Sequence, residues 1–145
     1  MQIRIPETKD IKACASVYIT AYKTKPWEEI YEQSEAENYI SAYLNSDTKR
    51  CYALVEKDEI KGVALGCIVP SIAGTYFRME DFCVDASVQR KGYGSRFMDL
   101  LAEEVVKEGC DSILLGTQRD YPSHQFYLKN DFTEVESVLL YKSVE

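Results

Sequence analysis

Met79-Glu80-Asp81-Phe82-Cys83-Val84 leads, after four residues, into Gln89-Arg90-Lys91-Gly92-Tyr93-Gly94-Ser95-Arg96. The first run carries two adjacent carboxylates able to accept a proton or hold a cation. The second carries glycines and basic side chains suited to an anion. A β-favouring run, a basic glycine loop and then a helix is the layout of a phosphate site, because a helix start presents unpaired amide N–H groups and the positive end of its dipole. The spacing is neither G-x-x-x-x-G-K-[ST] nor G-x-G-x-x-G, which excludes P-loop and Rossmann chemistry. If the strand is regular, Glu80 and Asp81 point to opposite faces and only one reaches a cleft unless a bulge intervenes.

A second candidate is Lys25 to Glu37, KPWEEIYEQSEAE, where Trp27 and Tyr31 stand among Glu28, Glu29, Glu32, Glu35 and Glu37. Carboxylates supply charge and aromatic faces supply contact, so the segment suits an organic cation. A solvated helix start with two core aromatics would read the same way, since acidic residues also favour helix N-termini.

The surrounding chain narrows the class. A net charge of −7 over 145 residues disfavours a nucleic-acid partner. Five cysteines, none in a C-x-x-C pair, and one histidine argue against a disulfide framework or a metal site. No apolar run is long enough to span a bilayer and Met1-Gln2-Ile3-Arg4 does not open a signal peptide, so neither a membrane nor an export route is expected and the cytoplasm is the expected location.

The elements that must position these residues follow from periodicity. Gln2 to Ile5 alternates like a strand; Thr8 is placed to cap a helix through Lys23 whose apolar side carries Ile11, Cys14, Tyr18 and Tyr22, and Ser34 a second one carrying Ala36, Tyr39, Ile40, Tyr43 and Leu44. Cys51–Lys57 and Ile60–Val69 read as a hairpin closed by Lys57-Asp58-Glu59, and Thr75–Asp85 as the strand bearing the carboxylates. The helix after Gly94 repeats Phe97, Leu100, Leu101 and Val105 and stops at Gly109. Ser112 to Thr117 is nearly all apolar or small, as for a strand buried on both faces, and the helix before it makes the connection a parallel crossover. Pro122–Asn130 reads as a short helix and Phe132–Lys142 as a last strand. The order βααβββαβαβ describes one α/β domain over residues 1–145 with a mixed sheet.

Strand, Gln89-x-x-Gly92-x-Gly94, helix, apolar strand, then Phe126-Tyr127-Leu128-Lys129-Asn130-Asp131-Phe132 resembles the GCN5-related N-acetyltransferases over essentially the whole chain. Asp131 departs from the pattern, standing where glycine is usual. The resemblance implies a mixed central sheet of six or seven strands flanked by about four helices, and acetyl-CoA as co-substrate. It assigns the pantetheine to the backbone of Phe82, Cys83 and Val84, and the pyrophosphate to Gln89, Arg90, Lys91, Gly92, Tyr93, Gly94 and Ser95. Small homodimers are common in that family, so a second copy is an expected partner through the aromatic-rich final strand.

Acetyl transfer from a thioester requires an amine to lose a proton, an oxyanion to be stabilised and a thiolate to leave. A phenol, with an ordinary pKa of about 10, is suited to the leaving sulfur, and the resemblance places Tyr127 near it. Met79-Glu80-Asp81-Phe82 and Pro122-Ser123-His124-Gln125-Phe126-Tyr127 are further similar to segments of the spermidine/spermine acetyltransferases. That similarity favours Glu80 as base, directly or through water, with Asp81 as a second candidate for substrate charge; the aromatic-acidic segment offers Trp27, Glu28 and Tyr31 to a small cationic amine such as a polyamine or aminoglycoside. Two other readings stand beside it: acetylation of a protein or peptide N-terminus, and a CoA-binding module without catalysis.

Overall fold

The computed structural model describes residues 1–145. Its elements are β1 (Gln2–Arg4), α1 (Ile11–Lys23), α2 (Gln33–Ser41), β2 (Lys49–Glu56), β3 (Glu59–Val69), β4 (Tyr76–Val84), α3 (Tyr93–Lys107), β5 (Ser112–Leu114) and α4 (Pro122–Lys129). The strands form one five-stranded sheet in the order β1-β2-β3-β4-β5. The first three pairings are antiparallel and the last is parallel. The βαβ crossover from β4 through α3 to β5 is thus present.

Local chemistry explains most boundaries. β2 and β3 meet in a two-residue turn in which Lys57 and Asp58 both take positive φ, the twist that closes a hairpin. A 3-10 turn over Thr8–Asp10 precedes α1, with Glu7 and Asp10 in a reciprocal capping box, so Thr8 lies inside the turn instead of capping it. Ser34 is likewise inside α2. The cap is Glu32, which exchanges hydrogen bonds with Glu35, because a box two residues earlier satisfies two orphan amide groups at once.

The sheet separates two apolar layers. Cys14, Val17, Tyr18 and Ala21 of α1 with Ala36 and Ile40 of α2 cover Cys51, Ala53, Val63, Leu65 and Cys83 on one face. Phe97, Met98, Leu101 and Val105 of α3 cover Tyr52, Leu54, Ala64, Phe77 and Met79 on the other, where Phe126 and Tyr127 of α4 also pack. Four of the five cysteines are buried, which accounts for them as small hydrophobes.

The expected six or seven strands are five. Phe132–Lys142 forms no strand: no ladder joins it to β5, the chain turns tightly where Ser137 N–H donates to Val135 O, and Leu139, Leu140 and Tyr141 are exposed. β5 is correspondingly short, and as the outermost strand it leaves Leu114 partly in solvent instead of buried on both faces.

Candidate active site

β4 and β5 pair only from Tyr76/Ser112 to Arg78/Leu114 and then part, leaving Met79–Val84 without a neighbour on that edge. Within the same stretch the register against β3 slips: Leu65 faces Asp81 while Gly66 faces Met79, so Glu80 is an extra residue on β4. The bulge reverses the alternation. Phe77 and Met79, then Phe82 and Val84, face the α3 layer, whereas Asp81 and Cys83 face α1 and α2. Glu80, next after Met79 and paired with Arg78 two residues earlier, lies on the α2 side too.

The two carboxylates then diverge in use. Glu80 pairs with Arg78 at 3.1 Å near the surface. Asp81 accepts hydrogen bonds from three phenols: Tyr18 at 3.3 Å and Tyr22 at 3.0 Å on Oδ1, and Tyr39 at 2.5 Å on Oδ2. Burial pushes the Tyr18 and Tyr22 hydroxyls well above the ordinary phenol range, followed by the Asp81 charge for Tyr18 and by Cys83 and then Asp81 for Tyr22; for Tyr39, burial is followed by its hydrogen bond to Asp81. Sequence reasoning placed Tyr18, Tyr22 and Tyr39 only on apolar helix faces. The available signal was the i, i+4 spacing of Tyr18/Tyr22 and Tyr39/Tyr43, which stacks hydroxyls that need a buried partner.

Trp27 lies edge-on between Tyr22 and Tyr121, each 5.9 Å away, so the loop after α1 reaches the start of α4. Tyr31 packs on Tyr18 at 5.7 Å and donates to Glu29 at 2.5 Å. Glu28 is exposed, on a positive φ, and joins neither group.

On the opposite bank, the Tyr127 ring contacts Phe126 and Phe132, each at 5.3 Å, and Phe82 at 6.4 Å. Its hydroxyl bonds to no protein group, and burial, with Cys83 and Asp81 behind it, raises its pKa. Asp131 takes the left-handed conformation that a glycine would supply (φ 68°), and Phe132 N–H closes the turn on Tyr127 O at 3.1 Å. The departure at Asp131 therefore leaves the turn intact. His124 bonds to Arg119 O and Glu134, tying α4 to the segment after it.

Beyond β4, Asp85 caps a short 3-10 turn by accepting from Ser87 N–H, and the Gln89 side chain donates to Val84 O at 3.3 Å. The amide N–H groups from Gln89 to Ser95 donate to no backbone carbonyl or side chain. Gly92, at φ 85°, caps α3, and an added Cβ there would meet nothing within 4 Å. Gly94 is needed for another reason, because its Cβ would stand 3.0 Å from the Phe126 ring of α4. Arg90 and Lys91 are exposed beside these amides, while the Tyr93 hydroxyl is used in a 2.5 Å bond to Glu56.

The acetyltransferase (GNAT) family profile matches residues 16–132. The chain belongs to the GNAT acetyltransferase family. Solved structures agree at the level of fold. A GNAT family acetyltransferase from Staphylococcus aureus is 18% identical with a TM-score of 0.76, covering 99% of this chain and 100% of that one. A possible acetyltransferase from Clostridium difficile is 14% identical with a TM-score of 0.85, over 99% and 97% of the two chains. An aminoglycoside 6'-N-acetyltransferase from Acinetobacter haemolyticus is 12% identical with a TM-score of 0.77, over 99% and 98%. No curated protein sequence matches.

GNAT enzymes generally use acetyl-CoA, and this member has residues that fit it. The free amides of Gln89–Ser95, the open space at Gly92 and the cations Arg90 and Lys91 suit a pyrophosphate. The unpaired edge of Met79–Val84 suits an extended amide-bearing arm, in the manner of an added strand. No helix of this GNAT chain is long and apolar enough to cross a membrane.

Proposed function

We propose that the protein transfers the acetyl group of acetyl-CoA to a primary amine of a small cationic compound, by direct attack when both are bound. The observation that carries this is the bulge at Glu80, which aims Asp81 at the aromatic side of the cleft that opens where β4 leaves β5, with the unpartnered Tyr127 hydroxyl opposite. Asp81, Trp27 and Tyr31 receive the amine, and Glu28 contributes charge at the rim. The ammonium gives its proton to water or to Glu80, whose link to Arg78 is exposed and exchangeable.

The amine nitrogen then forms the C–N bond, the C–S bond breaks, and the leaving thiolate takes up, through water, the proton that the new C–N nitrogen sheds on becoming an amide. The products are the amide and the free thiol. Tyr127 serves the departing sulfur. A thiol's ordinary pKa, about 8.5, lies below that of the buried phenol, so complete transfer from Tyr127 to a free thiolate is uphill. Its contribution is a hydrogen bond that strengthens as charge develops on sulfur. A cytoplasmic location, where acetyl-CoA is available, accords with this reading.

Acetyl-CoA-dependent thiol release across a panel of small amines tests it. Release that depends on both substrates is expected. Calorimetric CoA binding with no release from any amine would leave a binding module, and release only with peptides would turn the reading to N-terminal acetylation.

We also propose that a second copy of the chain covers residues 133–145. Leu139 is 84% and Tyr141 92% exposed, β5 has a free edge, and the period-two pattern is that of a strand lacking its ladder. Light scattering is expected to give a dimer, and L139K/Y141K a monomer. A wild-type monomer at tens of micromolar would discard the idea.

A further inference from the structure

Polycations are the first ligands suggested by five carboxylates between Glu28 and Glu37, but their placement points elsewhere. Glu32 and Glu35 are spent on the α2 capping box and Glu29 on the Tyr31 hydroxyl. Glu80 is already matched by Arg78. One carboxylate is left inside the aromatic group, Asp81, and most of its capacity is engaged. A carboxylate offers roughly four lone-pair positions. Oδ1 receives Tyr18 and Tyr22 and Oδ2 receives Tyr39, which leaves one position, on Oδ2.

The walls are rings. Tyr18 lies 4.6 Å from Tyr22, 5.7 Å from Tyr31 and 5.8 Å from Tyr39, and Trp27 continues the series to Tyr121. Such rings offer faces and edges to a flat body and negative quadrupoles to a single cation. Extra charge finds no second carboxylate beside Asp81: Glu29, Glu32, Glu35 and Glu80 are each already bonded, and Glu28 stands exposed at the rim. The phenol hydroxyls, having donated to Asp81, keep lone pairs that accept from the N–H groups of the same ammonium.

We propose that the acceptor is a compact primary amine bearing one positive charge on a flat apolar body, of the arylalkylamine class, and that Asp81 in its ring of tyrosines selects it. This rests on the acetyltransferase reading above. The ammonium takes the remaining position on Oδ2, and the apolar body lies against Tyr39, Tyr31 and Trp27, rings of the group that reach solvent. The selectivity of the site is then set by α1, α2 and the loop between them, not by the acidic residues at the surface of that loop.

The test is steady-state kcat/KM by thiol release with 2-phenylethylamine, n-butylamine, spermidine and kanamycin at saturating acetyl-CoA. 2-Phenylethylamine is expected to exceed each of the other three by about tenfold or more, a size consistent with one cation–aromatic contact plus stacking. Asp81→Asn is expected to raise its KM at least about tenfold while calorimetric acetyl-CoA affinity is unchanged. The wild-type ranking stands as evidence even where the variant fails to fold. Spermidine or kanamycin equal to or better than 2-phenylethylamine overturns this proposal and leaves the acetyltransferase reading standing. Bound acetyl-CoA with no amine turned over overturns both.

Discussion

Tyr127→Phe is expected to lower kcat by roughly 100-fold, about 2.7 kcal/mol of transition-state stabilisation, as for the loss of one donor to developing charge. Acetyl-CoA affinity is expected to stay within about twofold, because the lost interaction strengthens only as the C–S bond breaks. Stability is expected to be unchanged as well: the hydroxyl bonds to no protein group, and the contacts with Phe82, Phe126 and Phe132 are made by the ring that phenylalanine retains. Stopped-flow thiol release, CoA titration and thermal unfolding measure the three quantities. A variant that turns over at the wild-type rate would remove Tyr127 from the mechanism. One that also loses several degrees of stability would make the hydroxyl a structural group.

The second large effect is expected at Gly66, in the strand facing the bulge. A Cβ there would stand 2.5 Å from Arg78 O and closer still to the Phe77 ring, which is fully buried. Neither neighbour can withdraw: the first is backbone inside a ladder, and the second is packed against Tyr52 at 5.9 Å. Gly66→Ala is therefore expected to cost about 3 kcal/mol, the upper part of the range for overpacking. For a chain of this size that is a fall of roughly 9 °C in Tm. Because Gly66 sits at the register slip that fixes Asp81, amine KM is expected to rise in whatever fraction folds. Gly116→Ala is the control, since its Cβ would meet only Leu139 at an ordinary 3.6 Å. Equal melting of the two variants would show that the bulge tolerates a side chain.

Most elements were legible because their signals are local. Helix periodicity, the Lys57-Asp58 turn, glycine at 92 and the apolar run at Ser112 are each decided by a few neighbouring residues, and α1 to α4 and β1 to β5 fall where those signals put them. The loop Gln89–Ser95 was legible for the same reason, since φ and free amides at a helix start are set within one turn. Phe132–Lys142 misled because alternation shows only that a segment is able to pair. A strand exists once another backbone receives its hydrogen bonds, and within one chain none does.

The sequence by itself determined the family-level fold, the glycine turn that opens α3 and the presence of Tyr127 beside Phe126. Only the tertiary structure decided what Asp81 does. Its three hydroxyl partners come from two helices far away in the chain, and it meets them because a single extra residue at Glu80 turns it to their side of the sheet. A strand's faces alternate with a period of two, so a slip of one residue reassigns every side chain beyond it. At that slip Gly66 comes close to Phe77 and Arg78 across the sheet, a contact that no local pattern records.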